Sequence, residues 1–180
     1  MRLFWLIIVW CALLASCKEV SYKEAQPAGV PALKEIPTNL RGVFQTYDQT
    51  TGEFADTLTI ESWGYHMKDK NDKDWLGRGT LSDSLVVKFY QNYYFVNFKF
   101  QNQWVLRLIK QHPDGSLEFL SIDLSNPKKK DLLKKISKKL KVTEFKRKDD
   151  VFYQINPTPA QLMMLIKEGY FTGAKCTKIK

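Results

Sequence analysis

Through the middle of this chain apolar and polar residues alternate with a period of two, the pattern of half-buried strands. Leu85–Tyr90, Tyr93–Phe100, Trp104–Lys110 and Leu117–Ile122 are joined by the short polar links Gln91-Asn92, Gln101-Asn102-Gln103 and Gln111–Ser116. Tyr94, Val96, Phe98 and Phe100 share one face, with Asn97 and Lys99 on the other; Trp104, Leu106 and Leu108 line one face of the next strand. Links this short force antiparallel neighbours. Pro113-Asp114-Gly115 suits a turn, because proline presets φ and glycine accepts φ > 0. Upstream, Arg41–Tyr47 and Thr57–Glu61 predict two more strands, the second with Leu58 and Ile60 on one face. Trp63–Met67 is expected to continue that second strand past a bend at Gly64.

Near Ser125-Asn126-Pro127 the period becomes helical, with Asn126 able to cap and Pro127 suited to the first position. At about 100° per residue, Leu132, Leu133, Ile136 and Leu140 of Lys128–Lys141 fall in one arc, most lysines opposite. Thr143–Asn156 reads as a hairpin. Thr158, Pro159 and Gln161 then have capping-box spacing. The run Leu162–Ile166 is apolar nearly all round and predicts a buried helix that stops at Gly169. Thr172–Lys180 predicts a closing edge strand. The fold class expected is α+β: an antiparallel meander of six to eight strands, flat or curled into a cup or barrel. Two helices belong to its C-terminal third.

The amino terminus carries a different pattern. Leu3–Leu14 is apolar throughout, about a dozen residues, which suits the core of a signal peptide and falls short of the roughly 20 of a membrane-spanning helix. Leu14-Ala15-Ser16-Cys17 follows at once. This tetrad resembles the lipobox of bacterial lipoprotein precursors. The resemblance implies cleavage between Ser16 and Cys17, diacylglyceryl transfer to the Cys17 sulfur and a fatty acyl group, such as palmitate, on the new amine. Each buried methylene contributes about 0.8 kcal/mol, so two or more chains anchor stably. An ordinary secretory signal and an uncleaved anchor are the alternatives. Lys18 stands where the inner-membrane retention signal of enterobacterial lipoproteins has Asp, which favours the outer membrane. Lys18-Glu19 resembles the start of the Bacteroidota surface-export signal, but Val20 replaces its second acid, so periplasmic face and cell surface both stay open. Residues 18–37, with Pro27, Gly29, Pro31 and Pro37 and no sustained period, are expected to form a flexible tether. The organisation expected is a signal peptide over 1–16, a tether over 17–37 and one α+β domain over 38–180.

Composition adds partners rather than chemistry. The 180 residues carry a formal charge of +9; removing Arg2 from the 28 basic residues leaves 27 against 19 acidic, or +8. Such a balance favours anionic lipid, lipopolysaccharide or an acidic envelope protein beside the bilayer itself, and in an envelope no nucleic acid is expected. The lysine face of the first helix, Lys134, Lys135, Lys138 and Lys139, is the candidate contact for an anionic surface, against the plainer reading of a solvated face. Cys11 leaves with the leader and Cys17 is taken by lipid, so Cys176 is expected unpaired, as a small buried apolar residue.

The sequence contains no nucleophile elbow, zinc-protease, thiol-redox or phosphate-loop motif. His66, His112 and Cys176 lack ligand spacing for a metal, and Lys68–Asp74 lacks the ligand pattern of a calcium loop. The carboxylate pairs Glu53/Asp56 and Asp83/Asp114 would need a cleft to bring them together. No catalytic residue, cofactor or metal is therefore assigned. A noncatalytic binding or scaffolding lipoprotein of the envelope is the function expected. One alternative is a carrier of a small apolar ligand, with Tyr94, Phe98 and Trp104 as the aromatic face of a pocket. In outline that pattern resembles lipocalin-like lipoproteins, although no signature motif is present and no residue role carries over. The other alternative is an envelope hydrolase whose site is not legible in the sequence.

Overall fold

Among the described residues strand-forming alternation builds twelve strands and two short helices. The structure is a computed structural model that describes residues 18–47, 54–68, 77–124, 131–147 and 150–179. The strands are β1 (Lys18–Tyr22), β2 (Gly42–Tyr47), β3 (Phe54–Glu61), β4 (Gly64–Met67), β5 (Arg78–Thr80) and β6 (Leu85–Tyr90). They continue with β7 (Tyr93–Phe100), β8 (Gln103–Gln111), β9 (Leu117–Ser121), β10 (Thr143–Arg147), β11 (Asp150–Ile155) and β12 (Thr172–Lys178). The helices are α1 (Leu132–Ser137) and α2 (Pro159–Lys167).

One sheet runs in the order β10-β11-β1-β8-β9-β12-β2-β3-β4-β5, with β7 also on β8 and β6 on β7. β8 is the branch point. β7 covers one of its edges; the other is shared by β1, through Ser21↔Val105 and Tyr22↔Trp104, and by β9, from Leu108↔Leu120 to Gln111↔Leu117. Every pairing is antiparallel except that of β1 with β11. The class is α+β with strands dominant. The sheet stays open, so the closed form of the expected barrel is not adopted.

Alternation places a core on each face. Val20, Tyr22, Phe95, Leu106 and Leu108 meet Ile136, Leu162 and Leu165 of the helices. Leu40, Phe44, Leu58, Ile60, Val87, Val96, Ile109 and Leu117 turn inward on the other face. α2 follows its sequence closely: the Thr158 hydroxyl accepts from Gln161 N, and the Gln161 side chain accepts from Thr158 N. It ends at Gly169, whose φ of 75° closes the helix. α1 is shorter than the Lys128–Lys141 stretch expected, of which residues 128–130 lie outside the described ones. Its last turn tightens as Lys139 N and Leu140 N both bond Ile136 O, and the chain leaves to pair β10 with β11. Among the described residues no helix is long and apolar enough to cross a membrane.

Several expectations need correcting. Among the described residues twelve strands form, not six to eight. Trp63–Met67 does not prolong β3; it folds back at Ser62-Trp63 as β4, antiparallel to β3. β12 is no edge, since it lies between β9 and β2. Gly173 permits that place: a Cβ there would sit 1.6 Å from Phe119 O.

The largest correction concerns the tether. Residues 18–22 form β1, paired on both sides, with Val20, Ser21 and Tyr22 buried. Residues 23–37 then run as a strap over the sheet. Asn97 treats Gln26 as a strand neighbour, accepting from its N at 2.7 Å and donating to its O at 2.8 Å. The Lys88 ammonium donates to the carbonyls of Ala25 and Pro27 at 2.7 and 2.9 Å, and burial lowers its pKa. Leu33 N donates to Val87 O along the free edge of β6, and Ile36 N to Ser62 O. Prolines kept this segment out of regular structure, but buried side chains from the sheet satisfy its carbonyls instead.

Candidate functional site

The inward residues of β2, β3, β4, β6, β7, β8, β9 and β12 do not meet across the curl. They leave a cavity of about 300 Å³. Leu58, Ile60, Val87, Ile109 and Cys176 form its buried floor. Thr46, Tyr65, Met67, Phe98, Arg107, Phe119 and Ala174 line it while half-buried, so solvent reaches the cup among them. The Tyr65 and Phe98 rings stand edge to face at 6.2 Å. The strap contributes Ile36 to the wall, and the turn that follows it contributes Leu40. That 3-10 turn, over Thr38–Leu40, is held in place: Asn39 Nδ2 donates to the Tyr94 hydroxyl at 2.9 Å, and Gln111 Nε2 to Asn39 O at 2.7 Å.

Four lining residues carry polar or titratable groups: Thr46, Tyr65, Arg107 and Cys176. The Thr46 hydroxyl donates to Asp56 O at 2.9 Å. Arg107 makes two bonds to the Glu19 carboxylate, at 2.8 and 3.2 Å, and a third to Leu106 O. Both partners of that ion pair keep about a fifth of their side-chain exposure, 23% and 20%. Cys176 is unpaired and buried, and burial pushes its thiol up to about 11, so it stays protonated at neutral pH. Arginine and threonine are thus already engaged by the protein. What the cup offers a guest is apolar surface and shape.

The residues singled out from the sequence are dispersed. Tyr94 and Phe98 face the cup, but Trp104 packs on the helix side, because its parity on β8 is that of Leu106 and Leu108. His66 lies between Tyr65 and Met67 on β4, so it points away from the cup that holds Cys176. The His112 ring lies 3.2 Å from the Glu118 carboxylate. Among the described residues no group of three His, Cys, Asp or Glu is placed to hold a metal. Asp114 is tied to Lys175 Nζ at 2.8 Å and to Ser116, which hold its carboxyl well below the usual carboxylate range. Asp83 is in the β5–β6 turn, and buried Asp56 accepts from Thr57 N. Lys134, Lys135, Lys138 and Lys139 are all exposed beside the helix-side core, with Lys139 3.1 Å from Glu168. Ser16, Cys17, Glu53 and residues 69–74 of the charged loop lie outside the described residues.

Glu19 and Arg107 escaped the sequence reading. A signal existed: Arg107 interrupts an inward series between Val105 and Ile109, where an apolar residue is expected. Comparison with known proteins finds no matching family model, no matching curated protein and no matching solved structure.

Proposed function

We propose that this chain is a lipid-anchored envelope protein that binds a small apolar ligand in its cup, without catalysis. One observation carries the reading: a partly open cavity of about 300 Å³ whose wall is aliphatic and aromatic. That volume is at the lower end of the roughly 300–1,000 Å³ of small-molecule pockets. At about 30 Å³ each, it admits on the order of ten water-sized groups. Each buried methylene contributes about 0.8 kcal/mol, so about ten of them supply roughly 8 kcal/mol, which offsets the lower part of an association cost of about 4–15 kcal/mol. The absence of catalysis is inferred from the lining, where the polar groups of Thr46 and Arg107 are held by the protein and the Cys176 thiol is kept protonated. The lipid anchor rests on the Leu14–Cys17 resemblance and on the apolar Leu3–Leu14 run that leads into it.

Titration with a fluorescent apolar dye tests the reading. The parent chain is expected to bind the dye saturably, and Val96→Trp, which fills the cavity, to lose binding at least tenfold while keeping its fold. Native mass spectrometry of protein taken from its host should show a bound hydrocarbon. Equal dye binding by parent and Val96→Trp would end the proposal.

A further inference from the structure

We propose that the cup is loaded from the bilayer, taking an acyl chain of a membrane lipid at the surface where Cys17 is anchored. This rests on the apolar-ligand reading and on lipidation of Cys17. The observation behind it is the missing tether. Cys17 is followed at once by β1, which is held between β11 and β8. Cys17 and Glu19 are two residues apart, at most about 7 Å of extended chain. Glu19 is bound to Arg107, and Arg107 lines the cup among the half-buried residues of its opening.

The anchor and the Glu19 end of the Glu19–Arg107 pair are therefore separated by a distance comparable to the headgroup layer, roughly 6 Å on each side of a bilayer. A domain on a slack tether would present its opening to the membrane only occasionally. A domain whose first strand starts at the anchor keeps it there. The charges beside the opening suit that depth: Lys18 is exposed, and Glu19 and Arg107 form a neutral pair with partial access to solvent. Headgroups surround such groups without penalty, while the apolar wall behind them receives the hydrocarbon. The bilayer also supplies acyl chains at a local concentration no soluble ligand matches.

The test uses lipidated mature protein in vesicles containing a phospholipid with a diazirine near the end of its acyl chain. Irradiation is expected to label cup residues such as Met67, Phe98 and Phe119. Val96→Trp should lower that labelling at least fivefold. So should about twenty Gly/Ser residues inserted between Cys17 and Lys18, which keep the lipid but add roughly 25 Å of slack. Dye binding by the spacer variant, unchanged from the parent, shows that its fold and cup are intact. Labelling of the spacer variant equal to the parent's would overturn the loading proposal and leave the ligand reading standing. Absence of dye binding in both proteins would sink the ligand reading itself. Dye binding that emerges only in Cys17→Ser would mean the cup holds the protein's own acyl chain, which also overturns loading from the membrane.

Discussion

The two faces of β8 meet unlike surroundings. Leu106 and Leu108 press on α1, α2 and the chain after them, where Ile136, Leu162 and Leu165 have no exposure left. On the other face Ile109 looks across a cavity toward Leu58 and Ile60. Both layers draw on the same residue types, so hydrophobicity does not distinguish them. Freedom to approach does. A short helix on a loop can settle until its side chains interlock, whereas strands that share hydrogen-bond ladders keep the curvature those ladders impose. Filling follows from mobility during packing, and the hollow follows from a wall that cannot close.

The sharpest way to break this contrast is truncation. Leu165→Ala is expected to cost about 3–5 kcal/mol, because it opens a new void in a filled layer. Leu58→Ala should cost nearer about 2 kcal/mol, since it enlarges an existing one. Urea unfolding of both variants measures the gap, and equal losses would show the cup to be as tightly packed as the helix side. Enlargement gives the next effect. Val20→Phe overfills the helix-side core and should cost about 1–3 kcal/mol, while Val96→Phe enters free space and should cost less than about 1 kcal/mol. Thermal melts compare them directly.

A smaller effect concerns Cys176. Its folded pKa of about 11 lies above the ordinary value of 9.0. The protonated thiol is thus favoured by folding, and its contribution is full below about pH 9 and lost as pH rises toward 11. The stability difference between parent and Cys176→Ala should hold constant to pH 9 and shrink beyond it; a flat difference to pH 11 contradicts the burial argument. Least affected should be the charged face behind the helices. Replacing Lys134, Lys135, Lys138 and Lys139 with Gln is expected to leave dye binding unchanged and to reduce adhesion to anionic vesicles no more than severalfold, with the reduction itself abolished by salt.

Much of the strand framework, and the second helix, was readable in the chain. β6 and β7 have the expected bounds, and β8 and β9 differ from them by one residue at their ends. Thr158, Pro159 and Gln161 gave the capping box of α2. These signals are local, and each needs only a period or a turn. β1 has too short an alternation to outweigh the prolines that follow, and its partners come from residues 104–105 and 151–155. β4 hides behind a Ser62-Trp63 turn without the usual turn glycine. The site was legible in its aromatic member Phe98 but not as a volume, because emptiness is a property of distances between strands far apart in sequence. Trp104 was placed with it by chemistry rather than parity.

The parallel pairing of β1 with β11 has a consequence for how the molecule is made. The central hairpins can close as soon as their own residues exist, but Lys18–Tyr22 must wait for Val151–Ile155 before its ladder is complete. Such a contact raises the contact order and slows folding. A chain arrested before residue 150 leaves its own beginning half-paired, with Val20 and Tyr22 exposed to any neighbour that offers an edge. Integrity at the carboxyl end is in this way a condition for shelter at the amino end.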